Sequence, residues 1–127
     1  MKLKQLTPFL PVRDVDASVH FYEHVLGFQC TKRLEGYAHL MRDEVGIRIV
    51  SAAASKDMDS PNSQVHLYID VEDVDQLYKE LEERLLELPA NRLRPLFNTT
   101  YGQREFHVID DNVTLISFGS PLNRTGK

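Results

Sequence analysis

His66, Tyr68, Glu105 and His107 are the side chains whose types and spacing could support chemistry at one place. His66 and Tyr68 stand two apart, as do Glu105 and His107, and residues two apart on a strand project to the same face. Two kinds of chemistry are open to such a set. As metal ligands, His66, His107 and Glu105 would supply the roughly three protein donors that a catalytic divalent ion needs beside an open position. As recognition groups, Tyr68 can stack on an aromatic ring or take a cation on its face, and Glu105 can pair with a positive group. The histidines can donate or accept hydrogen bonds according to pH. Each residue also has a plainer role: His66 as a histidine bonded to a neighbouring strand, Tyr68 as packing, Glu105 as partner to Arg104 or Arg42.

Other chemistry is poorly supported. His20 and His24 are four apart, a spacing that can bind metal on a helix, but no third ligand or His-Glu motif accompanies them, and a solvated helix face is the better account. The single cysteine, Cys30, lies in a strand-like segment and reads as a small buried hydrophobe. There is no nucleophile elbow, phosphate-binding glycine loop or Cys-x-x-Cys pair, so nothing selects hydrolysis, phosphoryl transfer or redox chemistry.

The elements that must position these residues come from an internal repeat. Val12-Arg13-Asp14-Val15-Asp16 returns as Val71-Glu72-Asp73-Val74-Asp75, an offset of 59 residues that sets Thr7 against His66. Before each copy apolar residues alternate (Leu6, Pro8, Leu10, Val12; Val65, Leu67, Ile69, Val71), the period of a half-buried strand. After each copy the period turns helical: Val15, Val19, Tyr22 and Leu26 up to Gly27, then Val74 through Leu88 with Pro89 as a stop. The acidic segments thus read as strand-to-helix junctions whose carboxylates cap helices, Asp73 and Gln76 being spaced as a capping box.

Each half continues with strand-like runs: Tyr37 to Arg42 and Gly46 to Ser51 in the first, and a pair around Asp110-Asp111-Asn112 in the second. A further strand near Arg92 to Phe97 is blurred by Pro89 and Pro95. The apolar set Val65, Leu67, Ile69 and Val71 should meet the helix, turning His66, Tyr68 and Asp70 to the opposite face. A three-residue turn after Asp110 would pair His107 with Ser117 and put Glu105 on that face too, whereas a two-residue turn would put Phe106 and Val108 there.

The chain resembles a known superfamily, the vicinal-oxygen-chelate proteins, which includes glyoxalases, bleomycin-resistance proteins and extradiol dioxygenases. The resemblance runs over residues 6–120. It is carried by Leu10-Pro11-Val12-Arg13-Asp14 leading to Ser18, by Phe21-Tyr22 and Val25-Leu26-Gly27-Phe28, and by Gly102-Gln103-Arg104-Glu105-Phe106 leading to the Asp110 turn. The last set is most like the bleomycin-resistance branch. That family usually has Asp-Pro-Asp-Gly where this chain has Asp110-Asp111-Asn112-Val113, and the family's turn favours the three-residue register.

The resemblance implies an α+β fold of two βαβββ modules forming a curved mixed sheet with a concave ligand cup and helices on the outer face. Module one is expected at about residues 1–52, a connector at 52–62 and module two at 63–120, within a single domain over 1–127. The family's deciding inner-face positions fall on Thr7, Ser51, His66 and Ser117. Only His66 there is a good metal ligand, so no cofactor and no metal are expected. The implied function is a small-molecule binding protein that sequesters a drug or metabolite. The alternative is a metal-dependent lyase, isomerase, dioxygenase or thiol transferase, and an interaction module is a third possibility.

Expected ligand-binding residues are His66, Tyr68, Glu105, His107, Thr7, Phe9, Ser51 and Ser117, and the expected ligand is aromatic or cationic. Substituting Glu105 by Gln should then weaken a cationic ligand and leave stability nearly unchanged. At 127 residues, 42% hydrophobic, the chain is long enough for its own core. A net charge of −4 with scattered Lys and Arg argues against a nucleic-acid partner. The chain shows no transmembrane run and no signal-peptide pattern, so neither a membrane partner nor export is expected. With the lone cysteine, these features predict a cytoplasmic protein, and exchangeable modules predict a homodimer.

Overall fold

Asp14 and Asp73 start the two helices as the junction motif requires. In the computed structural model, which describes residues 1–53 and 56–122, both residues are extended. Asp14 accepts from the Ala17 backbone N–H at 3.2 Å and Asp73 from that of Gln76 at 3.1 Å, each satisfying one of the free donors of a helix first turn. Helix α1 spans Val15–His24 and α2 spans Val74–Leu85. The expected second helix reached Leu88, but the observed one ends a turn earlier. Leu88 donates to Leu85 in a tighter turn, because the residue before Pro89 is disfavoured in helical conformation.

Contacts divide the chain into two units, residues 1–64 with 111–113, and residues 65–110 with the chain from Thr114 on. The first contains strands β1 (Phe9–Val12), β2 (Gln29–Leu34), β3 (Tyr37–Arg42) and β4 (Val45–Ser51) in the order β1-β4-β3-β2. β1 and β4 run parallel and the other pairs antiparallel. The second contains β5 (Val65–Asp70), β6 (Leu93–Asn98), β7 (Gln103–Ile109) and β8 (Thr114–Pro121), ordered β5-β8-β7-β6 with the same senses. Each unit therefore reads strand, helix, strand, strand, strand around its own four-stranded mixed sheet. Of the expected connector over residues 52–62, positions 54 and 55 lie outside the described residues, as do residues 123–127.

One face of each sheet is the core. In the first unit Leu10, Val12, Ala38, Leu40, Ile47 and Ile49 are buried together with Phe21, Tyr22 and Leu26 from α1 and the turn after it. In the second, Phe106, Val108, Ile116 and Phe118 are buried with Val74, Tyr78, Leu81 and Leu85 of α2. Phe106 stacks on Phe118 with centroids 4.9 Å apart and meets Tyr78 edge-on at 5.1 Å. Val65, Leu67 and Ile69 share that face but stay half-buried, since β5 is an edge strand and α2 packs mainly over β6, β7 and β8. Pro95 explains the blurred strand: it lies in edge strand β6, where the register to β7 shifts between Arg94 and Phe97.

The turn after Asp110 has three residues, Asp111, Asn112 and Val113. The backbone N–H of Asp110 donates to the Thr114 carbonyl at 3.0 Å, and the N–H of Thr114 donates to the Asp110 carboxylate at 3.1 Å. Asp43 is the sole non-glycine residue with positive φ among those described, so this turn needs no glycine and Val113 is accommodated. The turn's side chains serve the first unit. Ser18 donates to Asp111 at 3.2 Å, Asn112 donates to the Ser18 hydroxyl at 3.1 Å, and the Arg13 backbone N–H donates to Asn112 at 2.9 Å.

Candidate functional site

Because the turn has three residues, β7 and β8 pair Glu105 with Gly119 and His107 with Ser117. The parallel pairing of β5 with β8 sets Tyr68 beside Ser117. Alternation then gathers His66, Tyr68, Glu105, His107 and Ser117 on the face of this sheet opposite α2. The His66 Nε2 lies 2.9 Å from the Ser117 Oγ. Glu105 is fully buried and is the hub of the remainder. Its Oε1 lies 2.7 Å from the His107 Nε2, its Oε2 accepts from the Tyr101 hydroxyl at 2.7 Å, and the Tyr68 hydroxyl lies beside it over Gly119.

Tyr101, Phe97 and Arg94 are members of this cluster that strand alternation alone does not reveal. Tyr101 lies in the β6–β7 turn, closed by the Thr99 N–H donating to the Gln103 carbonyl at 2.8 Å and the Gln103 N–H donating to the Thr99 hydroxyl at 3.0 Å. Its signal was an aromatic residue inside an otherwise polar turn four residues before Glu105. Phe97 meets the His107 ring edge-on at 5.0 Å, and the Arg94 guanidinium stacks 3.5 Å above the Phe97 ring. The register shift at Pro95 decides which β6 side chains arrive here.

The electrostatics are consistent with an ionised carboxylate held by hydrogen-bond donors. Burial pushes the Glu105 carboxyl up, but hydrogen bonds from His107, Tyr101 and Tyr68 outweigh it and hold the group below its usual range. An ionised carboxylate only accepts, so the His107 Nε2 carries a proton. The Tyr68 phenol is pushed above its ordinary value by burial and then by the Glu105 hydrogen bond and charge. Tyr101 shifts the same way, chiefly through its bond to Glu105. Glu105 is therefore not a free carboxylate waiting for a cation: its oxygens are engaged, and it acts by orienting two tyrosines and a histidine. The exposed rings are Tyr68 and Tyr101, at 38% and 67%.

In the first unit the register corrects one expected site residue. β4 buries Ile47 and Ile49 toward α1, and Ser51 shares their parity, pairing with the core residue Val12. Ser51 does not lie on the face opposite α1. The position related to Ser117 is Arg48, which pairs with both Phe9 and His39 as Ser117 pairs with both Tyr68 and His107. Ser51 lies three residues beyond that position on β4, an odd offset that turns it to the other face. Thr7 and Phe9 do join Arg48. Its Nε donates to the Thr7 hydroxyl at 2.9 Å, its Nη1 to the Tyr37 hydroxyl at 2.5 Å, and its Cζ lies 5.9 Å from the Phe9 ring centroid.

These residues do not make a good metal site. Among the described residues no group of three His, Cys, Asp or Glu side chains is placed to hold an ion. The reason is local: both Glu105 oxygens are engaged, by Tyr101 and His107, and the His66 Nε2 is turned to Ser117. Among the described residues no helix is long and apolar enough to cross a membrane.

Comparison with known proteins agrees with this architecture. A family model described as the Glyoxalase/Bleomycin resistance protein/Dioxygenase superfamily matches residues 2–118. A bleomycin resistance protein of Geobacillus stearothermophilus is 32% identical over 127 residues, covering 90% of this chain and 94% of the relative. Among solved structures, a bleomycin-binding protein complexed with bleomycin superposes with a TM-score of 0.77 at 22% identity, over 93% of this chain and 98% of the other. The bleomycin-binding protein of Streptomyces verticillus complexed with copper(II)-bleomycin gives 0.75 at 22% identity, over 98% and 99%. At these identities the structural likeness speaks for the fold.

Proposed function

Because the chain belongs to the glyoxalase/bleomycin resistance protein/dioxygenase superfamily, we propose that it is a binding protein that sequesters an aromatic, cationic drug or metabolite without transforming it. The observation that carries this reading is the Glu105 hub. A buried anion lies behind the exposed rings of Tyr68 and Tyr101, which makes their surface attractive to a cation and to a stacked ring at once. The hub's groups are poised as hydrogen-bonded recognition elements: the phenols are held neutral and the carboxylate is held ionised. The bleomycin-related names of the relatives support the same class of ligand.

Two further parts of the reading are assembly and location. We propose a homodimer acting in the cytoplasm, motivated by the exposed apolar side chains Leu3, Leu6 and Leu34 of the first unit. Equilibrium sedimentation at tens of micromolar, a range set by ordinary association constants, should give twice the chain mass.

The functional test is a titration with bleomycin, followed by calorimetry and thermal shift. A ligand that favours the folded state should raise the melting temperature. Binding should weaken with added salt and in Tyr68→Ala. Turnover of a substrate that depends on stoichiometric metal, and is lost in His66→Ala, would replace this reading with that of an enzyme.

A further inference from the structure

The two modules carry opposite charge on related faces, though at different positions. In the second, the central group on the face opposite the helix is the Glu105 carboxylate; in the first, the residue related to Glu105 is Tyr37 and the residue related to Ser117 is Arg48. We propose that this face of the first module is a second ligand subsite of the opposite kind, which takes the carboxylate of an aromatic acid.

Arg48 is half-buried and charged at any physiological pH. Among the described residues no carboxylate forms an ion pair with it. A guanidinium has five N–H donors, and here Thr7 and Tyr37 each accept one. Those neutral oxygens orient the group without cancelling its charge, leaving donors in the planar arrangement that fits a carboxylate two-to-two. Aromatic surface flanks it: the Phe9 and Tyr37 rings stand 6.5 Å apart at 50°, and Phe9 is 58% exposed. His39 pairs with Arg48 in the register, and its Nε2 is buried without a hydrogen-bond partner. A buried imidazole nitrogen lacking a partner is unfavourable.

This subsite deepens the reading above, because it adds an anionic aromatic group to the ligand chemistry the chain would take. It rests on that reading only for its role in sequestration; anion binding at Arg48 can be measured alone. The test is an amide chemical-shift titration of the intact protein with benzoate, benzyl alcohol and benzylammonium in parallel. Benzoate should give saturable shifts at Phe9, Tyr37 and Arg48, with benzyl alcohol about tenfold weaker, the loss expected for one charge-assisted hydrogen-bonding contact. Arg48→Gln should weaken benzoate by a similar factor, and Arg48→Lys, which keeps the charge without the planar fork, should fall between. Benzylammonium should shift Tyr68 and Tyr101 instead. Absence of saturable benzoate shifts on the first module in the unaltered protein overturns the subsite, whatever the variants do, as does equal binding of benzoate and benzyl alcohol. Failure of benzylammonium at Tyr68 with benzoate intact at Arg48 counts against the proposed cation site and leaves the anion subsite standing.

Discussion

The Tyr68 hydroxyl occupies the space that a side chain on Gly119 would fill. A Cβ built at Gly119 would overlap that oxygen and would sit 2.8 Å from the Tyr68 Cζ and 3.0 Å from the Glu105 Cγ. Tyr68 lies on β5 and Glu105 on β7, with β8 between them, so the tyrosine can cross to the carboxylate only over a residue with no side chain.

Gly119→Ala should therefore force Tyr68 away from Glu105. Overpacking of this kind costs about 1–3 kcal/mol. In a Tyr68→Phe background the penalty should shrink, giving a coupling of about 0.5–3 kcal/mol in a double-mutant cycle of denaturant midpoints. Additive effects would mean that the two residues do not compete for this space.

Glu105→Gln should destabilise the fold by about 1–3 kcal/mol, because an amide nitrogen would face a donor that the carboxylate now satisfies. This corrects the expectation of unchanged stability, which treated Glu105 as a surface partner for ligand. The pH dependence has a definite sign. The folded carboxyl titrates below its unfolded value of about 4.3, so its stabilisation is complete above that pH and is lost as pH falls through the folded value. Parallel pH–stability curves for the two proteins from neutrality to strong acid would contradict the network.

The phenols should report the same network in base. Tyr68 titrates above the ordinary value of about 10, so its contribution is complete below that pH and is lost as pH rises through the folded value. A spectrophotometric titration should show a late-ionising tyrosine that disappears in Tyr68→Phe. The late ionisation of Tyr78, which burial produces, should remain.

Core substitutions should separate the middle of the second sheet from its edge. Phe106→Ala removes a fully buried ring that stacks on Phe118 and meets Tyr78 edge-on, and should cost about 3–5 kcal/mol. Leu67→Ala, on half-buried β5, should cost less than about 2 kcal/mol, the lower end for a buried leucine. Equal denaturation midpoints would show that β5 is as deeply packed as β7.

Much of the cluster opposite α2 was legible because its placement rests on local rules. The 59-residue repeat located both strand-to-helix junctions, and both aspartates cap as their type requires. Spacing by two put His66 with Tyr68 and Glu105 with His107, and the three-residue turn brought the pairs onto one face. Ser51 was misplaced because the resemblance does not fix the register of β4, and a frame error of an odd number reverses every side chain on a strand. That error hid Arg48.

The sequence by itself determined the two strand-to-helix junctions, their caps and the common faces of His66 with Tyr68 and of Glu105 with His107, since each follows from periodicity or from a residue's own conformational preference. Only the tertiary structure decided that Glu105 is buried and saturated, that Tyr101 folds back onto it, that Gly119 makes room for Tyr68, and that Arg48 stands among Thr7, Phe9 and Tyr37. Those relations depend on pairing between strands distant in the chain and on the bulge at Pro95. Such pairing is settled by the summed packing of two whole sheets, which no local pattern encodes.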